Sequence, residues 1–342
     1  MEFFTEYAGF LLKLVTVAII LGLFIAGIAS GKSKPKEGGI SIRKINDQYE
    51  KMKDTLNAEL LDKKALKKNE KMKKKAIKER DKTNKSGDAI ERSRVFVLDF
   101  DGDIKASAVD SMREEITAVL SVATAKEEVV IRLESGGGMV HAYGLASSQL
   151  MRIKEANIPL TVCVDKVAAS GGYMMACVAD KIVAAPFAVL GSIGVVAQVP
   201  NIHRLLDKNL VDVELHTAGK YKRTLTMLGQ NTDEGREKFR QDLEETHVLF
   251  KEFVSSQRNV VDIEKIATGD VWYGIKALDN RLIDEISTSD GYLVSQYQDA
   301  DVFSIVYKEP KKIAERLGLS VLSAVETKLT KWLSTVSQYR GF

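Results

Sequence analysis

The residues with chemical reach gather at three glycine-rich stations. Ala168-Ala169-Ser170-Gly171-Gly172-Tyr173 sets a hydroxyl between a strand-like run and the helix-like Met174–Ala179, with glycines that leave its oxygen accessible. Amides at a helix start stabilise negative charge, so this pattern suits a nucleophilic serine as well as an ordinary helix cap. Ser135-Gly136-Gly137-Gly138 lets backbone N–H groups approach a ligand closely, as a tight turn or as an anion cradle. Ala218-Gly219-Lys220-Tyr221-Lys222-Arg223 clusters cations. A nucleophilic serine needs a base, and none of the four histidines, His141, His203, His216 and His247, stands in a triad-like context. A lysine among apolar or cationic neighbours loses its proton more readily and can accept that of a serine. The third station offers such lysines, or else it is a basic surface turn.

These stations need a scaffold. Val95–Leu98, Val129–Leu133 and Leu160–Val164 read as short strands, and Val109–Ala123 and Tyr143–Glu155 as the helices between them. Strands alternating with helices imply an α/β fold with a largely parallel sheet and right-handed crossovers. A longer amphipathic helix is expected over 233–257, and a last one over Lys311–Gln338. The uncharged run Ile182–Ile202 is interrupted by Pro186, Pro200 and the turn-like Gly191-Ser192-Ile193-Gly194, so it is expected to be buried core rather than a membrane span. Cys163 and Cys177 lie on apolar segments and are expected to be buried, reduced packing residues. With two cysteines and five prolines in 342 residues, neither a disulfide scaffold nor a proline-rich chain is possible.

The net charge of +3 is a cancellation between zones: residues 1–31 sum to −1, residues 32–94 to +10, and residues 95–342 to −6. Between Tyr7 and Ser30 the only charge is Lys13. About 22 residues at ~1.5 Å each reach about 33 Å, enough for a bilayer. The start lacks a basic region and the apolar run exceeds that of a leader peptide, so an uncleaved anchor over 7–30 is expected. A basic, partly helical linker over 31–94 follows, then the α/β domain over 95–310 and the amphipathic helix over 311–342. The linker is a solvated spacer or a segment drawn to anionic lipid. No aromatic residue interleaves its lysines between Tyr49 and Phe96, which argues against nucleic acid. Lys32, Lys34, Lys36, Arg43 and Lys44 follow the apolar run, and the positive-inside rule then puts the bulk of the chain in the cytoplasm.

In combination these motifs resemble the SppA/SohB family of membrane-bound serine peptidases (signal peptide peptidase A family) over roughly residues 95–300. Ala169-Ser170-Gly171-Gly172-Tyr173 matches the nucleophile motif, Lys222 the general-base lysine, and Gly191-Ser192-Ile193-Gly194 a turn whose Ser192 hydroxyl could orient that lysine. Ala179-Asp180-Lys181-Ile182 and the stretch Gly269–Ile286 match as well. The family carries Ser-Pro-Gly-Gly at its oxyanion turn, whereas this chain has Gly136 in place of the proline. Gly137, partnered by Gly171, would still offer its N–H to the oxyanion, from a looser turn. The resemblance implies a crotonase/ClpP-like fold behind a transmembrane helix, a Ser170–Lys222 dyad working through an acyl-enzyme, and no metal or other cofactor. It also implies a peptide or protein substrate, a homo-oligomer in which Ser170 and Lys222 can come from different copies, and a bacterial inner-membrane location. The family is typically extracytoplasmic, against the flanking charges here. Two other readings are a catalytically silent membrane scaffold and a phosphatase built on Asp99-Phe100-Asp101-Gly102-Asp103. In the latter, Asp103 occupies the position usually held by Thr or Ser, so a strand-to-turn role is expected for the segment.

Overall fold

The computed structural model describes residues 2–30, 38–85 and 92–310. The helix expected over 311–342 lies outside the described residues. Two compact units divide the chain, residues 1–39 with 308–342, and residues 40–307. Helix α1 (Glu2–Ser30) belongs to the first and covers the apolar run. Among the described residues no helix is long and apolar enough to cross a membrane.

The second unit opens with β1 (Gly39–Lys44), α2 (Ile45–Leu60) and α3 (Lys63–Lys85). Over its described residues the expected linker is therefore mostly helical, but it also supplies an edge strand, whose Ile40-Ser41-Ile42-Arg43 alternation is too short to stand out in the sequence. Next come β2 (Ser93–Gly102), α4 (Val109–Leu120), β3 (Glu128–Ser135), α5 (Val140–Glu155) and β4 (Leu160–Val164). This is the βαβαβ pattern the sequence predicts. Its strands read as continuous apolar runs because both faces are covered, so Leu98, Ile131 and Val162 have no solvent exposure. Each such side chain contributes about 1.5–3 kcal/mol by leaving water.

β5 (Val167–Ala169), α6 (Gly171–Ala176), β6 (Lys181–Ala184), β7 (Val189–Gly191), α7 (His203–Lys208) and α8 (Asp233–Gln257) follow. The chain then forms α9 (Ile263–Ile266), β8 (Val271–Tyr273), α10 (Gly274–Asp279), β9 (Glu285–Ile286), α11 (Ser289–Gln296) and β10 (Ala300–Lys308). The main sheet runs β1-β10-β2-β3-β4-β6-β9 and is parallel from β10 to β9. It forks at the end of β3. Ser135 pairs with Gly102 of β2 on one side and with Ala168 of β5 on the other, and a branch β5-β7-β8 leaves from there. The fork sets the turn after β3 beside the turn after β5, so two glycine-rich stations become neighbours at the carboxyl ends of parallel strands.

α8 begins where Thr232 accepts the Gly235 N–H at 3.0 Å, with Asp233 and Glu234 in its first turn, and it ends at Gln257 as the sequence predicts. Its Phe250 and Val254 are buried against the core. The run Ile182–Ile202 is core only in its first half. Ile182, Val183, Leu190 and Ile193 are buried, whereas Val196 is 91% exposed and no strand or helix covers 192–202. The reason is Gly191-Ser192, both at positive φ, which turn the chain out of the sheet.

Candidate active site

Ser170 sits between β5 and α6 at φ 53°, ψ −119°, a conformation that a side chain makes costly by about 1–3 kcal/mol. Its surroundings hold it there: the Ser170 N–H donates to the Gly191 carbonyl at 2.7 Å, and its carbonyl accepts the Met174 N–H at 2.9 Å. The two glycines that follow are dictated by packing. A Cβ at Gly171 would strike the Tyr143 ring, and one at Gly172 would come within 2.5 Å of the Ser135 carbonyl. Tyr173 is fully buried and donates its hydroxyl to the Leu282 carbonyl at 2.9 Å, which ties the Ser170 turn to the chain entering β9.

Gly137 faces this turn. It adopts φ +88°, and a Cβ there would lie 2.7 Å from the Gly171 nitrogen and 2.8 Å from Ser170 Cβ. Only glycine leaves that space open. The structure thus brings Ser170, Gly171 and Gly137 together. The Gly137 N–H, however, donates to Ser135 Oγ at 3.1 Å rather than into the cleft. Gly136 is exposed with open space around it, consistent with a turn that no proline stiffens. Ser170 and Gly171 open on a cleft of about 80 Å³ lined by Val140, Met174, Val195 and Phe250 among others. Its far wall comes from α8, which nothing in the sequence near Ser170 announces.

Lys222 is not part of this cleft. It is exposed, in a stretch without regular structure, and makes no hydrogen bond to Ser170 or to Ser192. Its own N–H closes a turn on the Gly219 carbonyl at 3.2 Å. Its neighbour Lys220 is spoken for: Glu234 lies 2.6 Å away, and this hydrogen bond raises the Lys220 pKa, so that amine stays charged. Lys222 carries no ion pair among the described residues, which separates the two lysines of the third station. Ser192 is half-buried at φ 49°, its N–H on the Asp270 carbonyl at 2.7 Å. None of the four histidines lines the cleft.

The aspartates after β2 have other tasks. Asp99 forms a two-point pair with Arg132, at 2.6 and 2.8 Å. Asp103 accepts the Ser107 and Lys105 N–H groups, and these bonds, the one from Ser107 first, lower its pKa. This is the strand-to-turn role expected of the segment. Among the described residues no group of three or more His, Cys, Asp or Glu could hold a metal ion. Cys163 and Cys177 are buried and unpaired, and burial pushes both thiols up to about 12.

Comparison with known proteins follows the same lines. Residues 2–150 match the family described as "Peptidase family S49 N-terminal", and residues 152–302 the one described as "Peptidase family S49". A "Probable protease SohB" of Haemophilus influenzae is 49% identical over 326 residues, 93% of this chain and 92% of that one. Another, of Buchnera aphidicola subsp. Schlechtendalia chinensis, is 51% identical over 306 residues, 86% of this chain and 100% of that one. Among solved structures, a 1510-N membrane-bound stomatin-specific protease in complex with a substrate peptide matches at 13% identity and a TM-score of 0.40, over 68% of this chain and 99% of that one.

Proposed function

This chain belongs to peptidase family S49 and is a peptidase, and from that premise we propose that it is a membrane-anchored serine endopeptidase with a Ser170–Lys222 dyad. The observation that carries the reading is the strained Ser170 turn, open to a cleft and faced by Gly137 and Gly171. Lys222, as general base, takes the Ser170 proton as Ser170 Oγ attacks a peptide carbonyl. The Gly171 and Gly137 amides stabilise the charge that develops on the carbonyl oxygen. The amine leaves with the proton from Lys222, and water, deprotonated by the same lysine, frees the acyl group from Ser170. The small apolar cleft favours an apolar side chain next to the cut bond.

The position of Lys222 supports a site assembled between copies of the chain. The segment that bears it exposes Val196, Leu205, Leu210, Leu215 and Met227, apolar side chains that contact with another copy would cover. A neighbouring copy that covers this segment would deliver its Lys222 to Ser170. Mixing two inactive variants tests both claims. Ser170→Ala and Lys222→Ala each abolish peptide cleavage with an unchanged melting temperature, and their mixture regains activity through mixed sites. A Lys222→Ala variant with wild-type turnover would sink the dyad.

Attachment to a bilayer rests on α1 and α3. Eight lysines between Lys63 and Lys78 are exposed. At about 100° per residue they fall within an arc of about 140°. The ninth lysine of the stretch, Lys73, is half-buried and points elsewhere, to Asp54 at 2.5 Å and Glu50 at 3.3 Å on α2. An apolar helix followed by a one-sided basic helix fits a bacterial inner membrane with anionic headgroups.

A further inference from the structure

We infer that Tyr143 positions both halves of the oxyanion hole, its ring supporting the Gly171 amide and its hydroxyl, through Ser135, directing the Gly137 amide. The inference rests on the reading of Ser170 as nucleophile. Tyr143 lies in the first turn of α5 with no solvent exposure, its ring edge-on to Phe100 at 6.5 Å and 70°. Because a Cβ at Gly171 would strike that ring, the ring is the floor on which the Gly171 peptide rests.

The hydroxyl end sets direction. Tyr143 Oη donates to the Asp103 carbonyl at 2.7 Å, which uses its only proton. Ser135 Oγ, 2.5 Å from Oη, must then be the donor in that contact. The Gly102 carbonyl, at 3.4 Å, is too distant to compete for the Ser135 proton. With its proton spent, Ser135 Oγ faces the Gly137 N–H as an acceptor, at 3.1 Å. The order is fixed from end to end: Gly137 amide, Ser135, Tyr143, Asp103 carbonyl. Burial raises the Tyr143 pKa, so the phenol keeps its proton throughout the working range of pH. Ser135 is 2% exposed, so bulk water has little access to its hydroxyl.

Gly137 stands between two glycines and has no side chain of its own to fix its peptide plane. The relay supplies that constraint, the one Gly136 cannot supply in place of proline. It also holds the amide in reserve. A neutral hydroxyl at 3.1 Å is a weak acceptor, and a developing oxyanion is a stronger one, so the N–H changes partner only as charge appears. An interaction made only at that point acts on kcat and leaves KM alone.

Tyr143→Phe keeps the ring and removes the relay, and Ser135→Ala removes the next link. Each is expected to lower kcat about tenfold with KM within about twofold, and to weaken a peptide aldehyde, which forms a tetrahedral adduct on serine, by the same factor. The double variant is expected to be no worse than the poorer single one, because both cut one chain. Unchanged kcat and aldehyde affinity, losses that multiply in the double variant, or a loss confined to KM would each overturn the inference. Melting temperatures identify a variant that fails to fold, in which case the other single variant carries the test. Failure of the nucleophile reading looks different: Ser170→Ala would keep its activity, and a fluorophosphonate would not label Ser170 in the unmodified chain.

Discussion

At the scale of single residues, Ser170 and Gly137 trade stability for chemistry in opposite ways. Ser170 keeps a side chain where the backbone disfavours one. Ser170→Gly should therefore abolish activity and still stabilise the fold, by about 1 kcal/mol after glycine's extra unfolded-state entropy is deducted. Denaturant melts of the two proteins side by side measure it, and a less stable Ser170→Gly would mean that the turn is unstrained. Gly137→Ala does the reverse. Its methyl would sit 2.7 Å from the Gly171 nitrogen, in the space the oxyanion needs, at a φ of +88°. A fall in kcat of at least about 100-fold is expected, with destabilisation of about 1 kcal/mol or more. Both positions were legible in the sequence as glycine-rich stations. The roles of Ser135 and Tyr143 were not, since a buried Ser–Tyr hydrogen bond leaves no periodic trace and depends on the fork that brings β2, β3 and β5 together.

At the scale of elements, long periodic segments could be read directly and short ones could not. The strand over Leu160–Val164 and the helix over 233–257 appear with the bounds their patterns imply. β5, β7 and β8 have three residues each, too few for alternation to register. They are the branch that carries Ser170. The stretch Gly269–Ile286 gains a physical meaning from its partners. Arg258, 6% exposed at the end of α8, donates to the Arg281 carbonyl at 2.7 Å and pairs with Asp284 at 2.9 Å. Asp284 also accepts the Ile182 N–H at 2.7 Å, so one carboxylate fastens α8 to β6 and to the start of β9. Asp284→Ala strands a buried guanidinium and is expected to cost about 2 kcal/mol, less than a fully buried pair because Asp284 is partly exposed. Equilibrium unfolding in urea reads the loss directly. Asp284→Asn, which keeps an acceptor, should recover part of it.

At the scale of the whole molecule, the exposed apolar side chains along 196–228 are the surface that the proposed assembly would cover. Leu210→Asp with Leu215→Asp places charge on residues that are 93% and 53% exposed and outside the cleft, where the core does not notice them. The melting temperature of the pair should stay within about 2 °C of the parent, while assembly and peptide cleavage fall together. Light scattering alongside a turnover assay tests this, and full activity in a dispersed variant would contradict it. Composition alone points to an anchor, a basic tether and an acidic domain, because charge segregation survives without knowledge of contacts. It is silent about Lys222, whose distance from the cleft is a property of the fold. That distance has a consequence for timing. On the proposed assembly, in which Ser170 of one copy meets Lys222 of another, a solitary copy would be held latent and association itself would be its activation. Dilution would then switch it off, and cleavage would rise more steeply than in proportion to copy number.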